Sequence, residues 1–116
     1  MICYNKEDIE SLKKHEGKYY MPNALFDTMQ YKLVRLEVKL AYTACLNTLL
    51  RCPSYDNDGH AYIKDDNPTT IEVLKDLANK KVDQEKIDGY LVELENYGLV
   101  ERSGRNIYLK KIDSIF

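Results

Sequence analysis

The sequence has no tryptophan, and it holds only two phenylalanines, three cysteines, three prolines and two histidines. The cysteines, Cys3, Cys45 and Cys52, are odd in number and form no CxxC pair, so neither a disulfide framework nor a zinc ribbon is expected. Reduced thiols in a cytoplasmic protein are the expectation, with Cys45 placed in the core by its neighbours Ala44 and Leu46. His15 and His60 lie far apart. Cys52 and His60 share a metal only with two further ligands, which no spacing supplies, so no metal and no cofactor are expected. No Ser–His–Asp or Cys–His arrangement and no phosphate-binding glycine loop is present, which gives no basis for an enzyme. The first residues, "MICYNKEDIESLKKHE", lack the apolar core of a signal peptide. No run approaches the length of a membrane span, so no membrane partner is expected.

What is present fits one globular unit. The chain has 116 residues, 44% of them apolar and 31% charged. A chain of this size buries about two-thirds of its unfolded surface, enough for a self-sufficient core. The formal net charge is −2, so any contact with a polyanion must rest on a local cluster of cations. Tyrosine is abundant, with ten residues. With plentiful Lys, Asn and Ile, this reads first as the codon bias of an AT-rich genome and second as a stacking surface.

Along the chain, "KEDIESLKKHE" (6–16) has helical charge spacing but only Ile9 and Leu12 as apolar anchors, a weak helix or a loose arm. "GKYYMPNALFD" (17–27) starts extended, and a short helical turn capped by Asn23 follows. The strongest helix is "YKLVRLEVKLAYTACLNTLLR" (31–51). Its apolar positions, Leu33, Val34, Leu36, Val38, Leu40, Ala44, Leu46 and Leu49, are too broad for a surface stripe and predict a central buried helix. Pro53 ends it. "SYDNDGH" is a turn cluster and "AYIK" (61–64) a short strand. Thr69 or Thr70 caps a helix over "TIEVLKDLA", and "NKK" is the turn after it. Asp83 caps the next helix, whose buried stripe is Ile87, Tyr90, Leu91, Leu94 and Tyr97, with Gly98 just past its end. "LVER" and "NIYLKK" are strands around an "SGR" hairpin loop, and "IDSIF" is a tail. This order predicts a mainly α fold with a small β-hairpin wing, a winged helix-turn-helix over residues 19–116, preceded by an N-terminal arm, 1–18.

The stretches "YYMPNALF" (19–26), "YKLVRLEVKLAY" (31–42), "DNDGHAYI" (56–63), "TIEVLKDLAN" (70–79), "LENYGLVER" and "NIYL" (94–109) come in an order and spacing that resembles the N-terminal domain of the RepA-type replication initiators of low-GC Gram-positive plasmids. The resemblance covers most of the chain, from Tyr19 to Leu109. It implies a winged-helix domain of a plasmid, phage or other mobile element that binds origin DNA and tends to dimerise. The initiators are longer proteins, so a fragment or a stand-alone relative is implied. Two departures stand out. Arg35 and Val38 replace the family's Ser cap and small Ala. The family's basic second helix of the helix-turn-helix is here acidic, with Lys86 against Asp83, Glu85, Asp88, Glu93 and Glu95.

Three stretches bear on function. "SYDNDGHAYIKD" (54–65) imitates a calcium loop, but Ser54 stands where the first Asp belongs and Asp65 where a bidentate Glu belongs. A hairpin turn explains it better. The wing carries Arg102, Arg105, Lys110 and Lys111 with no acid among them, and Lys80 and Lys81 precede the acidic helix, which itself holds Lys86. These are the candidate nucleic-acid contacts, to phosphates or a minor groove. The acidic helix raises a difficulty, because carboxylates repel phosphates. Asp83 and Glu85 have an alternative role at the helix N-terminus. Asp88 and Glu93 have none, and Gly89 costs about 1 kcal/mol in a helix interior while leaving a flat spot. Two functions therefore stand. One is a nucleic-acid-binding protein of a mobile element, acting in replication or its control and contacting DNA mainly through the wing. Its variant binds single strands on Tyr4, Tyr19, Tyr55 or Tyr62. The other is a protein-binding module that presents Asp83, Glu85, Asp88, Gly89 and Glu93 to a basic partner such as a replication or other nucleic-acid enzyme. A homodimer through the arm and the long helix is expected with either.

Overall fold

In the computed structural model, which describes residues 2–112, five helices surround one small antiparallel sheet. The helices are α1 (Lys6–Leu12), α2 (Asn23–Asp27), α3 (Leu36–Arg51), α4 (Pro68–Ala78) and α5 (Gln84–Asn96). The strands are β1 (Ser54–Tyr55), β2 (Ala61–Lys64), β3 (Val100–Ser103) and β4 (Asn106–Leu109), in the order β1-β2-β4-β3. This is a winged helix-turn-helix: α4 and α5 form the helix pair and the β3–β4 hairpin is the wing. Residues 113–116 of the expected tail lie outside the described residues.

The centre is α3. Every residue from Ala41 to Leu50 is buried, so over this stretch the helix has no solvent face. Its polar residues survive burial because each is bonded. Asn47 exchanges bonds with the backbone of Tyr20, accepting from its N–H at 2.8 Å and donating to its carbonyl at 2.9 Å. Thr48 meets Thr70 of α4, hydroxyl to hydroxyl, at 2.9 Å. Such pairing removes the cost of about 1–3 kcal/mol for an unsatisfied buried group. The Tyr42 hydroxyl donates to the Lys110 carbonyl at 2.6 Å and lies 3.3 Å from that of Tyr4.

α3 starts at Leu36, five residues later than its apolar pattern suggests. Met29–Tyr31 is a 3-10 turn, and Arg35 is extended at ψ 148°. Tyr31 and Val34 reach the core from this irregular segment, while Leu33 and Leu36 stand 84% and 63% exposed. Three other local readings are corrected. Asn23 is the first residue of α2 and makes no side-chain cap. The cap of α4 is Asn67, whose side chain accepts from the Thr69 N–H, with Pro68 at the first helical position where its missing N–H costs nothing. The turn cluster contains a strand, since Ser54 and Tyr55 pair with Tyr62 and Ala61.

The N-terminal segment is docked on the domain. Asn5 and Asp8 form a capping box at the start of α1, Ile9 is fully buried, and Cys3 and Asn5 bridge to Lys110 and His60. A dimer through this segment would have to exchange contacts the domain already makes. Tyr4, expected as an exposed stacking residue, is 2% exposed. Cys45 is buried as expected, and burial pushes its thiol up to about 12. No helix among the described residues is long and apolar enough to cross a membrane.

Ile87, Tyr90, Leu91 and Leu94 of α5 are buried, as their spacing predicts, but Tyr97, the last residue of the expected stripe, lies past the helix end and is exposed, its hydroxyl donating to the Leu33 carbonyl. Leu91→Ala removes a side chain at 1% exposure and is expected to cost about 2–5 kcal/mol in urea unfolding. An unchanged melting temperature would contradict this packing.

Candidate nucleic-acid interface

The cations of the wing are largely engaged within the protein. Arg105, at the hairpin tip with Gly104, bonds Asp65 through Nε at 3.3 Å and pairs with Asp66 through Nη2. The Asp66 bond, then that to Asp65, raises the guanidinium pKa further. Lys111 pairs with Asp8 at 2.8 Å. The Lys110 ammonium stands 5.8 Å from the centre of the Tyr31 ring. Arg102 shares the inner face of β3 with Val100, opposite Ile107. Its Nε and Nη2 are enclosed without a hydrogen-bond partner among the described residues. The sequence shows a basic hairpin because its acidic partners lie about 40 residues away or more.

The acidic helix changes in the opposite sense. Asp83 is the N-cap of α5 and accepts from the Lys86 N–H at 2.9 Å. Asp88 accepts from the Gln84 amide at 2.8 Å, and the same amide donates to the Asp65 carbonyl at 2.9 Å. Glu93 takes both arms of Arg35, Nε at 3.1 Å and Nη2 at 2.7 Å. This fork holds the Glu93 carboxyl below the usual glutamate range. Arg35 and the acidic helix are the two departures from the family pattern, and they are partners of one another. At 100° per residue, the side of α5 opposite its buried stripe carries Glu85, Gly89, Val92 and Asn96, all exposed. Of the four carboxylates expected on the reading face, Glu85 alone points straight outward without a partner among the described residues. A Cβ built on Gly89 would meet nothing within 4 Å, so the centre of this face is open.

The turn between α4 and α5 follows from Asn79, the one described non-glycine residue at positive φ, 52°. Lys80 turns inward and pairs with Glu37 at 3.1 Å. Glu37, held below its ordinary value first by the Tyr90 hydroxyl and then by Lys80, thus joins α3, the turn and α5. Lys81 and Lys86 line an open concavity with Lys75, Val82 and Asp83. Lys75 carries no signal in the sequence, standing alone between Leu74 and Asp76. Its placement beside Lys81 depends on how α4 meets α5.

The remaining candidates are placed as follows. Asp56, Asp58 and His60 bring ligand atoms within 4.8 Å of one another. Asp56 already accepts from the Asp58 and His60 N–H groups and the Tyr108 hydroxyl, which accounts for the turn as a hydrogen-bonded hairpin loop. Tyr19 donates to Asp76 at 2.5 Å. Tyr62 faces Tyr108 across the sheet, ring centres 5.6 Å apart, and Tyr55 is half-buried.

No family model and no curated protein matches the chain. Solved structures do. A structure of a Rep–DNA complex is 31% identical, with a TM-score of 0.57, over 90% of this chain and 81% of that one. The N-terminal domain of a DNA-binding protein is 27% identical, with a TM-score of 0.53, over 90% of this chain and 80% of that one. A structure of an MDR initiator shares the fold at 24% identity and a TM-score of 0.58, over 95% of this chain and 86% of that one.

The Arg35–Glu93 fork is open to direct measurement. Carboxyl NMR titration is expected to find Glu93 below the ordinary value of about 4.3, and Arg35→Met to return it there. Because the folded value is depressed, the stabilisation is present above that ordinary value and is lost as pH falls through the folded one. An unshifted Glu93 in the wild type would contradict the fork.

Proposed function

Because the chain belongs to the winged-helix domain family of the RepA-type replication initiators, we propose that it binds duplex DNA and acts in replication or its control on a plasmid, phage or other mobile element, working in the cytoplasm where its three thiols stay reduced. The observation that carries this reading is the 31% identity to the protein of the Rep–DNA complex across nearly the whole domain. The Arg35–Glu93 pair supports it in part, since it removes one carboxylate charge from α5 and so lowers the phosphate repulsion that the helix sequence suggests. In this reading α5 presents Glu85, Gly89, Val92 and Asn96 to the groove. The wing lies beside it as a second contact, with Arg105 exchanging Asp65 and Asp66 for phosphate and Lys110 at the strand end.

A second reading, a protein partner, is favoured by the exposure of Met29, Leu33 and Leu36 beside the acidic end of α5. The homodimer implied by the resemblance is assigned to the same edge, because Ile9 is held inside the domain.

Fluorescence anisotropy with an AT-rich duplex at two salt concentrations tests both readings. Wild type is expected to bind, and more weakly at the higher salt. Arg105→Ala should weaken all sequences alike and lower the slope of log K against log salt by about one. Glu85→Gln should tighten binding. No binding to duplex or single strands at low salt would abandon the DNA reading for the protein partner.

A further inference from the structure

We infer that Lys75, Lys81 and Lys86 form a seat for the phosphate backbone of duplex DNA, and that this seat rather than the wing is the domain's main electrostatic anchor; this rests on the DNA-binding reading above. The three side chains come from α4, the turn and α5, and they line one open concavity of about 460 Å³. All three residues are exposed. None of their ammonium groups takes part in a hydrogen bond or ion pair among the described residues.

What identifies the seat is that three cations without a carboxylate partner among the described residues line one concavity, whereas Lys110 of the wing stands by itself over the Tyr31 ring. Arg35, Lys80, Arg105 and Lys111 each hold a carboxylate. A phosphate approaching any of them must displace an acid and leave it unpaired near the DNA. A phosphate approaching the α4–α5 turn displaces only water and counterions, whose release drives association. Asp83 is the one acid lining the concavity. Its carboxylate is oriented by the Lys86 N–H that it caps, so it lowers the positive charge without closing the seat. The position also suits reading, because Lys86 lies one turn from Gly89. A phosphate held there brings the open centre of α5 towards the neighbouring groove, while Lys75 fixes the angle from the other helix.

The test uses the full chain and a labelled AT-rich duplex about two helical turns long, with affinity read across a salt series. The triple variant Lys75→Gln, Lys81→Gln, Lys86→Gln keeps good helix formers at the helical positions. It is expected to bind roughly tenfold or more weakly, with the salt slope reduced by about 0.9 for each phosphate it no longer neutralises. Asp83→Asn preserves the cap and is expected to tighten binding a few-fold with an unchanged melting temperature. Wild-type binding that the triple variant leaves unaltered in both affinity and slope would overturn the seat while the DNA reading stands. Absence of wild-type binding would overturn both. Tighter wild-type binding to an RNA duplex of the same sequence, or a triple-variant defect seen on phosphatidylglycerol vesicles and not on DNA, would overturn duplex DNA as the ligand.

Discussion

The domain is arranged around a helix whose central stretch has no outside. From Ala41 to Leu50 every residue of α3 is buried, and a helix of that kind must be covered from all directions. α4, α5, the sheet and the docked N-terminal segment supply the cover. The sequence of α5 follows from this duty: Ile87, Tyr90, Leu91 and Leu94 face inward, which leaves one narrow face for anything else. The N-terminal segment is drawn in for the same reason, through Ile9 and the approach of Tyr4 to Tyr42.

Charge is settled by proximity in the fold. A hairpin rich in arginine and lysine meets acids from α1 and from the loop before α4. An acidic helix meets Arg35, a glutamine amide and its own cap. Counting charges along the chain therefore overstates the attraction of the wing more than the repulsion of α5, where Glu93 alone is paired with a cation among the described residues. Most of these pairs are exposed, where an ion pair contributes at most about 1 kcal/mol to stability. Their larger effect is on which cations remain available to a polyanion.

The sequence made the stripe of α5, its Asp83 cap, the Gly98 terminus and the wing hairpin legible, because each depends on residues within a turn or two of one another. The start of α3 was not legible. Tyr31 and Val34 are buried from an irregular segment, so apolar content continues where helical geometry does not. The Asn67 cap is hidden because "DDNP" reads as a breaker, although proline at the first helical position starts a helix as readily as it stops one. The Arg35–Glu93 fork spans 58 residues and the Arg105–Asp65 contact 40. Nothing in local spacing marks either. The candidate site was thus half visible: Lys81 and Lys86 could be named from position, while Lys75, and the engagement of the wing cations, required the packing of α4, α5 and the sheet.

The central claim is that DNA meets this domain at the α4–α5 turn and the outward face of α5. Amide chemical-shift mapping during titration with an AT-rich duplex tests it directly. The account predicts that the largest shifts cluster at Lys75, Lys81, Lys86, Gly89 and Val92, with smaller ones at Arg105. Shifts centred instead on Met29, Leu33 and Tyr97, or no shifts at low salt, would contradict it.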